Sequence, residues 1–539
     1  MQPSVSNASG RVFGDPACPR FLKPSLVLPL TVLLVISGLL LRWVALGRLS
    51  VWGDEAFTWW VALQSPGRII QIIQQDTWPP LYYLVMHFWI GLFGDSEFAM
   101  RSQAALASTI AMALGVALAW RMYPGRAGAF LLATGLLAVS VVQVEFARDV
   151  RCYATASMLV LATLWTLIRR VEGGRFWWMG AYAICGAALV YQHNVMWFYL
   201  MCLHVAWWVW PGPQRWTSRL KDMVVGNLLV LVLFAPWIPS LMGQMHRLNG
   251  GFWTERPTFN ELSRVVNWQS GVHTDAIRDL AQDWSPNADS GDRLFRLPVF
   301  GLIVVAAGVA VWFTRRDDRR RVIALLAVGM GPILVVFIYS QVRQSIFIGR
   351  VFTPTSVVMP LVLAALLVPK MRWTAVLSGV LCLGAVGGCY AWFTHPRTEG
   401  WREAITQIQQ VKQPGDRLVF FACEGRLVYD YYVKRLALDR LPVSGVPADF
   451  FANDPPRVQL HVKSDADLVP MRTMLGDMEI RRVLLVGSHI GWLDPTGRVE
   501  KYFDSHWIRQ NRLQLRGVSV TQYQRPGIVA SPASGQSKE

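Results

Sequence analysis

The sequence predicts an α-helical polytopic membrane protein that ends in a small C-terminal α/β domain. Of its 539 residues, 53% are apolar and only 16% are charged, where soluble chains carry about 25% charged residues. Apolar runs of roughly bilayer length follow one another from residue 26 to residue 394, and the composition turns polar after His395. A single soluble core cannot hide that much apolar surface, but a bilayer solvates it.

The net charge of +17 is the usual excess of Lys and Arg in cytoplasmic loops. No basic patch interleaved with aromatics resembles a nucleic-acid module, so nucleic acid is excluded as a partner. Of seven cysteines only Cys423 lies in the polar C-terminal region, and none has zinc-ligand spacing.

Arg11, Arg20 and Lys23 precede the first apolar run, 26–44. That run is too long for a signal-peptide core and reads as an uncleaved helix, with 1–25 as a cytoplasmic tail. Further runs lie at 79–94, 103–120, 127–143, 153–168, 176–191, 195–211, 223–241, 297–314, 322–339, 354–369 and 373–393. Basic clusters at Arg121/Arg126, Arg169/Arg170/Arg175, Arg215/Arg219/Lys221, Arg315–Arg321 and Lys370/Arg372 mark cytoplasmic loops. These orientations agree only if 79–94 stays in the outer leaflet as a juxtamembrane helix, which leaves about 11 crossings. The alternative is that 79–121 crosses as one broken unit. The 26–394 membrane domain then presents 47–102, 144–152, 242–296 and 340–353 on the outer face of the cell (inner) membrane. The domain from 395 to 539 is also extracytoplasmic.

In that last domain, Trp401, Ile405, Ile408 and Val411 form a helical stripe within 398–412. Pro414-Gly415-Asp416 is a turn, and Leu418–Phe421 reads as a buried strand. A helix over 424–437 and a second strand over 482–487 complete the pattern. The last dozen residues read as disordered.

Unusual polar residues collect on the outer face. Asp54-Glu55 reads either as solvated interfacial charge or as a site; Trp52, Phe57, Trp59 and Trp60 around it favour burial, and burial beside a like charge makes a carboxylate a better proton acceptor. Sequence neighbours do not share a helix face, so one of the pair faces a reacting hydroxyl and the other orients groups or meets a cation. Asp76 precedes Trp78-Pro79-Pro80-Leu81-Tyr82-Tyr83 and reads first as a helix cap, second as another acid of the site. Arg148 and Arg151, beside Asp149 and Tyr153, break the positive-inside trend, as do Arg343 and Arg350. Guanidinium forks suit a lipid-linked phosphate at that depth, and salt bridging to Glu145 or Asp149 is the competing reading. Tyr191-Gln192-His193-Asn194 is a further polar corner, with His193 a secondary candidate.

The order Asp54-Glu55, Pro79-Pro80-Leu81-Tyr82-Tyr83, Phe93-Gly94-Asp95-Ser96-Glu97 with Arg101, Arg151-x-Tyr153 and Ala235-Pro236-Trp237 resembles the bacterial branch of the protein O-mannosyltransferase-like glycosyltransferases. These are GT-C membrane enzymes (glycosyltransferase family 39-like), and the resemblance covers about residues 26–395. It implies a polyprenyl-phosphate sugar donor, inversion at the anomeric carbon and a catalytic carboxylate in the first outer loop, here Asp54 with Glu55 beside it. Arg151 and Tyr153 match the second-loop motif. Trp78 stands where many relatives have His before Pro-Pro, and Arg350-Val351-Phe352 where many have Arg-Tyr-Leu. A donor with an anionic leaving phosphate needs cations, so Arg148, Arg151 and Arg350 are the donor-phosphate candidates. The acceptor is a protein, lipid or glycan hydroxyl. No motif demands a cofactor or fixes a metal ligand, although a divalent cation is compatible. The rival reading is a transporter or a non-catalytic binder of lipid-linked glycan, against which stand the one-sided charges and the lack of an inverted repeat.

Overall fold

A computed structural model describes residues 24–249, 254–271, 316–367, 372–395, 398–454, 461–477 and 479–527. The run 297–314, the tail 1–23, most of loop 242–296 and the last dozen residues lie outside the described residues. The chain divides into two compact units.

The first unit comprises Met1–Leu46, Asp76–Val85 and Phe98–Pro396. Five of its helices are long and apolar enough to cross a membrane: Ser25–Trp43, Glu97–Met122, Tyr153–Val171, Trp216–Arg247 and Arg316–Val342. Shorter apolar helices include Ala127–Ala138, Trp177–Val190, Met196–Val209, Thr355–Leu367 and Ser378–Thr394. The protein is thus a multi-pass membrane protein. Its helices turn large apolar side chains outward, as in Leu28, Leu40 and Val232, which lipid solvates without cost.

Two helices depart from the apolar runs. Run 127–143 breaks at Val139, after which a short helix, Val141–Phe146, begins. Run 223–241 bends through a 3-10 turn at Ala235–Trp237, where Pro236 and Pro239 remove two backbone donors. The Leu81–Phe93 helix has 13 residues. That is about 20 Å, short of the roughly 30 Å hydrocarbon layer. Its start lies in the first unit and its end in the second.

Buried polar groups tie the bundle together. Arg42 donates to Ser108 Oγ and to the Gly38, Leu137 and Ala138 carbonyls, each at 2.9 Å. Two of these are unsatisfied carbonyls at the end of the Ala127–Ala138 helix, where a cation is favoured. The Gln143 amide nitrogen donates to Ser157 Oγ at 3.0 Å and Ser356 Oγ at 2.9 Å, linking three segments. Such bonds act as glue where helices gain no hydrophobic drive to associate.

The second unit comprises Gly47–Gln75, Met86–Glu97 and Arg397–Glu539. Its centre is a five-stranded sheet in the order β2-β1-β3-β5-β4. The strands are β1 Asp416–Phe421, β2 Val443–Gly445, β3 Arg482–Ser488, β4 Ile508–Gln514 and β5 Val518–Gln524. β1 is parallel to β2 and β3, and β5 is antiparallel to β3 and β4. The near-continuous apolar runs of β1 and β3 fit central strands covered on both faces. Trp401, Ile405 and Ile408 are buried, as their helical stripe predicts. β2 and the β4–β5 hairpin escape sequence reading, because β4 is exposed, lies at the sheet edge and carries no apolar alternation.

One ion pair anchors β1 to β3. Arg482 donates to both Asp416 oxygens, at 2.8 and 2.7 Å, and Asp416 is fully buried. Asp416→Ala leaves a largely buried guanidinium uncompensated, a loss of about 3–5 kcal/mol. Urea-dependent proteolysis of the membrane-embedded chain should show this domain opening at markedly lower urea. Unchanged protection would refute the role.

The composition break at 395 does not bound this unit, because the first outer loop packs within it. Val51 N–H donates to Tyr432 Oη at 2.8 Å, and Arg402 pairs with Glu97 at 2.7 Å while donating to the Gly47 carbonyl at 3.1 Å. Lys434 meets Asp95 at 2.7 Å, and Trp59 Nε1 donates to the same carboxylate at 3.1 Å.

Candidate active site

Within the second unit, Asp54 and Glu55 form the first turn of the Gly53–Ala62 helix. Acids are favoured there by the unpaired N–H groups and the positive end of the helix dipole. Glu55 is wholly buried, whereas Asp54 is half-buried. Successive helical residues point about 100° apart, so their carboxylates diverge.

Two acids of the C-terminal segment sit beside this turn. Glu424 immediately precedes the Gly425–Arg435 helix, and a Cβ added to Gly53 would lie 3.4 Å from its Cγ. Gly425 is required at the next position, because a Cβ there would meet Trp401 at 2.7 Å and Phe420 at 2.9 Å. Glu399 accepts from Trp401 Nε1 and faces His489 Nδ1 at 3.3 Å. Burial, reinforced by the Asp54 and Glu399 charges, pushes the Glu424 carboxyl up to about 8. Burial raises Glu399 as well, opposed by His489 and reinforced by Asp54. By contrast, Asp95 and Glu97 are drawn below the usual range: burial opposes this, but Lys434 and Arg402 outweigh it.

The Glu424 shift has a direct consequence. Its folded-state value of about 8 exceeds the ordinary 4.5, so the folded state binds more protons between these values. Stability is therefore retained below about pH 4.5 and lost as pH rises towards 8. In Glu424→Gln this part of the slope disappears. Melting temperatures compared at acidic and alkaline pH should converge in the variant, and an unchanged difference would contradict the assignment.

Sequence reading misses Glu399, Glu424 and His489. The available signal is a lone acid closing the apolar strand run that ends at Cys423.

The first unit holds a cationic, aromatic corner. The Arg151 guanidinium lies over the Trp78 ring, 4.2 Å from its centroid, and Trp78 packs edge-on against His193 at 4.3 Å and Tyr153 at 6.0 Å. Asn194 donates to the Thr77 carbonyl at 2.9 Å and Gln244 to the Trp78 carbonyl at 3.0 Å, fixing the Pro-Pro approach. His193 Nδ1 accepts from Val195 N–H at 3.0 Å, so its proton belongs on Nε2. Burial, then the charges of Arg151 and Arg350, push His193 down to about 3, which keeps it neutral. Asp149, Arg151 and Arg350 all act on Cys152, so these candidates share one neighbourhood.

Other candidates fall elsewhere. Arg148 donates to the Val144 carbonyl at 3.0 Å and the Val44 carbonyl at 2.7 Å, and lies over Trp392 and Phe393. These contacts pin the bundle. Asp76 accepts from the adjacent Thr77 N–H at 2.7 Å. It stands five residues before Leu81, so the helix-cap reading is corrected: Pro79 and Pro80 hold the chain extended in between. Tyr82 and Tyr83 are buried. Among the described residues, no group of three or more His, Cys, Asp or Glu is arranged to hold a metal ion.

The family model for dolichyl-phosphate-mannose-protein mannosyltransferases matches residues 77–239, the stretch that carries Trp78, Arg151, Tyr153 and His193. The match covers under a third of the chain and lies within the stretch whose motif order resembles the GT-C membrane glycosyltransferases. Among solved structures, the chain is similar to ArnT from Cupriavidus metallidurans in the apo state: 13% identity over 92% of this chain and 98% of that one, TM-score 0.48. The same protein bound to undecaprenyl phosphate gives 14% identity over 91% and 97%, TM-score 0.47. The apo oligosaccharyltransferase of Archaeoglobus fulgidus gives 11% identity over 88% and 70%, TM-score 0.47. No curated protein sequence matches the chain.

Proposed function

We propose that this protein transfers a sugar from a polyprenyl-phosphate donor to an acceptor hydroxyl on the extracytoplasmic face of the inner membrane, inverting the anomeric centre. The acceptor oxygen attacks the anomeric carbon as its proton passes to Asp54. The bond from that carbon to the phosphate oxygen breaks, and polyprenyl phosphate leaves with the electron pair. The leaving group is already an anion, so it needs cations rather than an acid, unlike a glycosidase with two flanking carboxylates. Arg151 and Arg350 take that role. Neutral His193 and the Trp78 face orient the Arg151 fork, and Glu55 supports the turn that carries Asp54.

The observation that carries this reading is the Arg151–Trp78–His193 cluster, with Arg151 over the Trp78 ring at 4.2 Å and His193 edge-on to it at 4.3 Å, which falls inside the family-matched segment. It supports a held, planar guanidinium suited to phosphate. The test is a labelled polyprenyl-phosphate sugar presented to the full chain in vesicles. Release of free polyprenyl phosphate with label moving to an acceptor fits the proposal. Movement of intact donor across the bilayer without cleavage would instead indicate a transporter.

A further inference from the structure

The second unit holds a polar group that the base chemistry does not use. Glu424 Oε2 is buried and has no hydrogen-bond partner among the described residues, although the side chain as a whole remains partly exposed. Its Cγ lies against Gly53, next to Asp54. The titratable groups that act on it are Asp54 and Glu399, the latter facing His489, and Cys423 precedes it in the chain. The nearest base in sequence, Arg426, is engaged by Asp449 and Asp430. Among the described residues, no cation pairs with Glu424. A buried carboxylate oxygen with neither donor nor counter-ion is costly, whereas the protonated form both donates and accepts. The raised value of about 8 agrees.

From this orphaned carboxyl beside the proposed base, we infer that Glu424 is a second acceptor-contacting residue and that the acceptor is a carbohydrate. The inference rests on the reading of Asp54 as the base. Asp54 takes the proton of one hydroxyl, and Glu424 then requires a second polar group a short distance away. A serine or threonine side chain offers one hydroxyl, while a sugar ring offers further hydroxyls on neighbouring carbons. The C-terminal segment thereby contributes to acceptor choice through the same helix start that packs against the first outer loop.

The test uses the full chain in nanodiscs and a panel of methyl pyranosides (mannoside, glucoside and galactoside), with a serine/threonine peptide as the competing probe. Tryptophan fluorescence reports binding, since Trp52, Trp59 and Trp60 flank Asp54 in sequence and Trp401 packs against Gly425, next to Glu424. The expected result is saturable binding of at least one pyranoside and none of the peptide. Glu424→Ala weakens that binding about 10-fold, the scale of one neutral hydrogen bond. Glu424→Gln keeps it within about threefold, because a neutral amide retains donor and acceptor in nearly the same shape. Failure of every pyranoside to bind, preference for the peptide, or equal affinity in wild type and Glu424→Ala would each overturn the inference. Equal loss in the Gln and Ala variants would overturn it too, since Glu424 would then act as a charge. Asp54→Asn separates this from the base assignment: it should still bind the sugar while losing transfer. Retained transfer in Asp54→Asn would sink the base reading itself.

Discussion

Asp54→Asn should leave a folded, membrane-inserted protein that transfers sugar about 10²- to 10⁴-fold more slowly, the range that a positioned general base contributes. Asn preserves the shape of the first turn but cannot accept the proton. The loss should appear in kcat with little change in donor KM, because deprotonation occurs only in the transition state. Asp54→Glu keeps a carboxylate but displaces it by one methylene, so partial activity should return. Glu55→Gln is the internal control. That residue is wholly buried, and its carboxylate diverges from its neighbour's, so its replacement should cost stability more than turnover. Near-wild-type kcat in Asp54→Asn would end the assignment.

The second large effect is expected at Arg151. Arg151→Gln removes the planar fork that lies over Trp78, and kcat/KM for the lipid-linked donor should fall about 10²- to 10³-fold, as for other groups that stabilise developing charge. Arg151→Lys should recover only part of this, since a lysine ammonium keeps the charge without the bidentate geometry or the stacking. Arg148→Gln should behave differently. Its guanidinium donates to the Val44 and Val144 carbonyls, so it should lower detergent-resistant stability while sparing donor KM. Steady-state kinetics on the three variants against a donor concentration series would check this. Equal kcat/KM for the donor in wild type and Arg151→Gln would remove Arg151 from phosphate stabilisation.

The two arginines show where sequence reasoning reaches and where it stops. Both lie in one short loop, and both break the positive-inside trend. Nothing in residue type separates a guanidinium that satisfies helix-end carbonyls from one held over an aromatic face. Only the packing of Trp392 and Phe393 against one, and of Trp78 against the other, tells them apart. Asp76 is a similar case. Its spacing from an apolar run suggests a cap, but Pro79-Pro80 delays the helix to Leu81 and leaves the carboxylate in the preceding bend.

Membrane insertion, the apolar helices and the strands β1 and β3 were legible in the chain alone. Each rests on local composition or periodicity, which a bilayer or a doubly covered sheet imposes residue by residue. The acidic turn at Asp54 could also be read there, because the surrounding tryptophans and its place after the first helix are local facts. The neighbours of that turn could not. Glu399 and Glu424 lie more than 340 residues further on, and only tertiary packing of the first outer loop with the C-terminal segment brings their charges to bear on one another. Proton affinity depends on burial and on through-space charge, quantities that a linear order of residues does not contain.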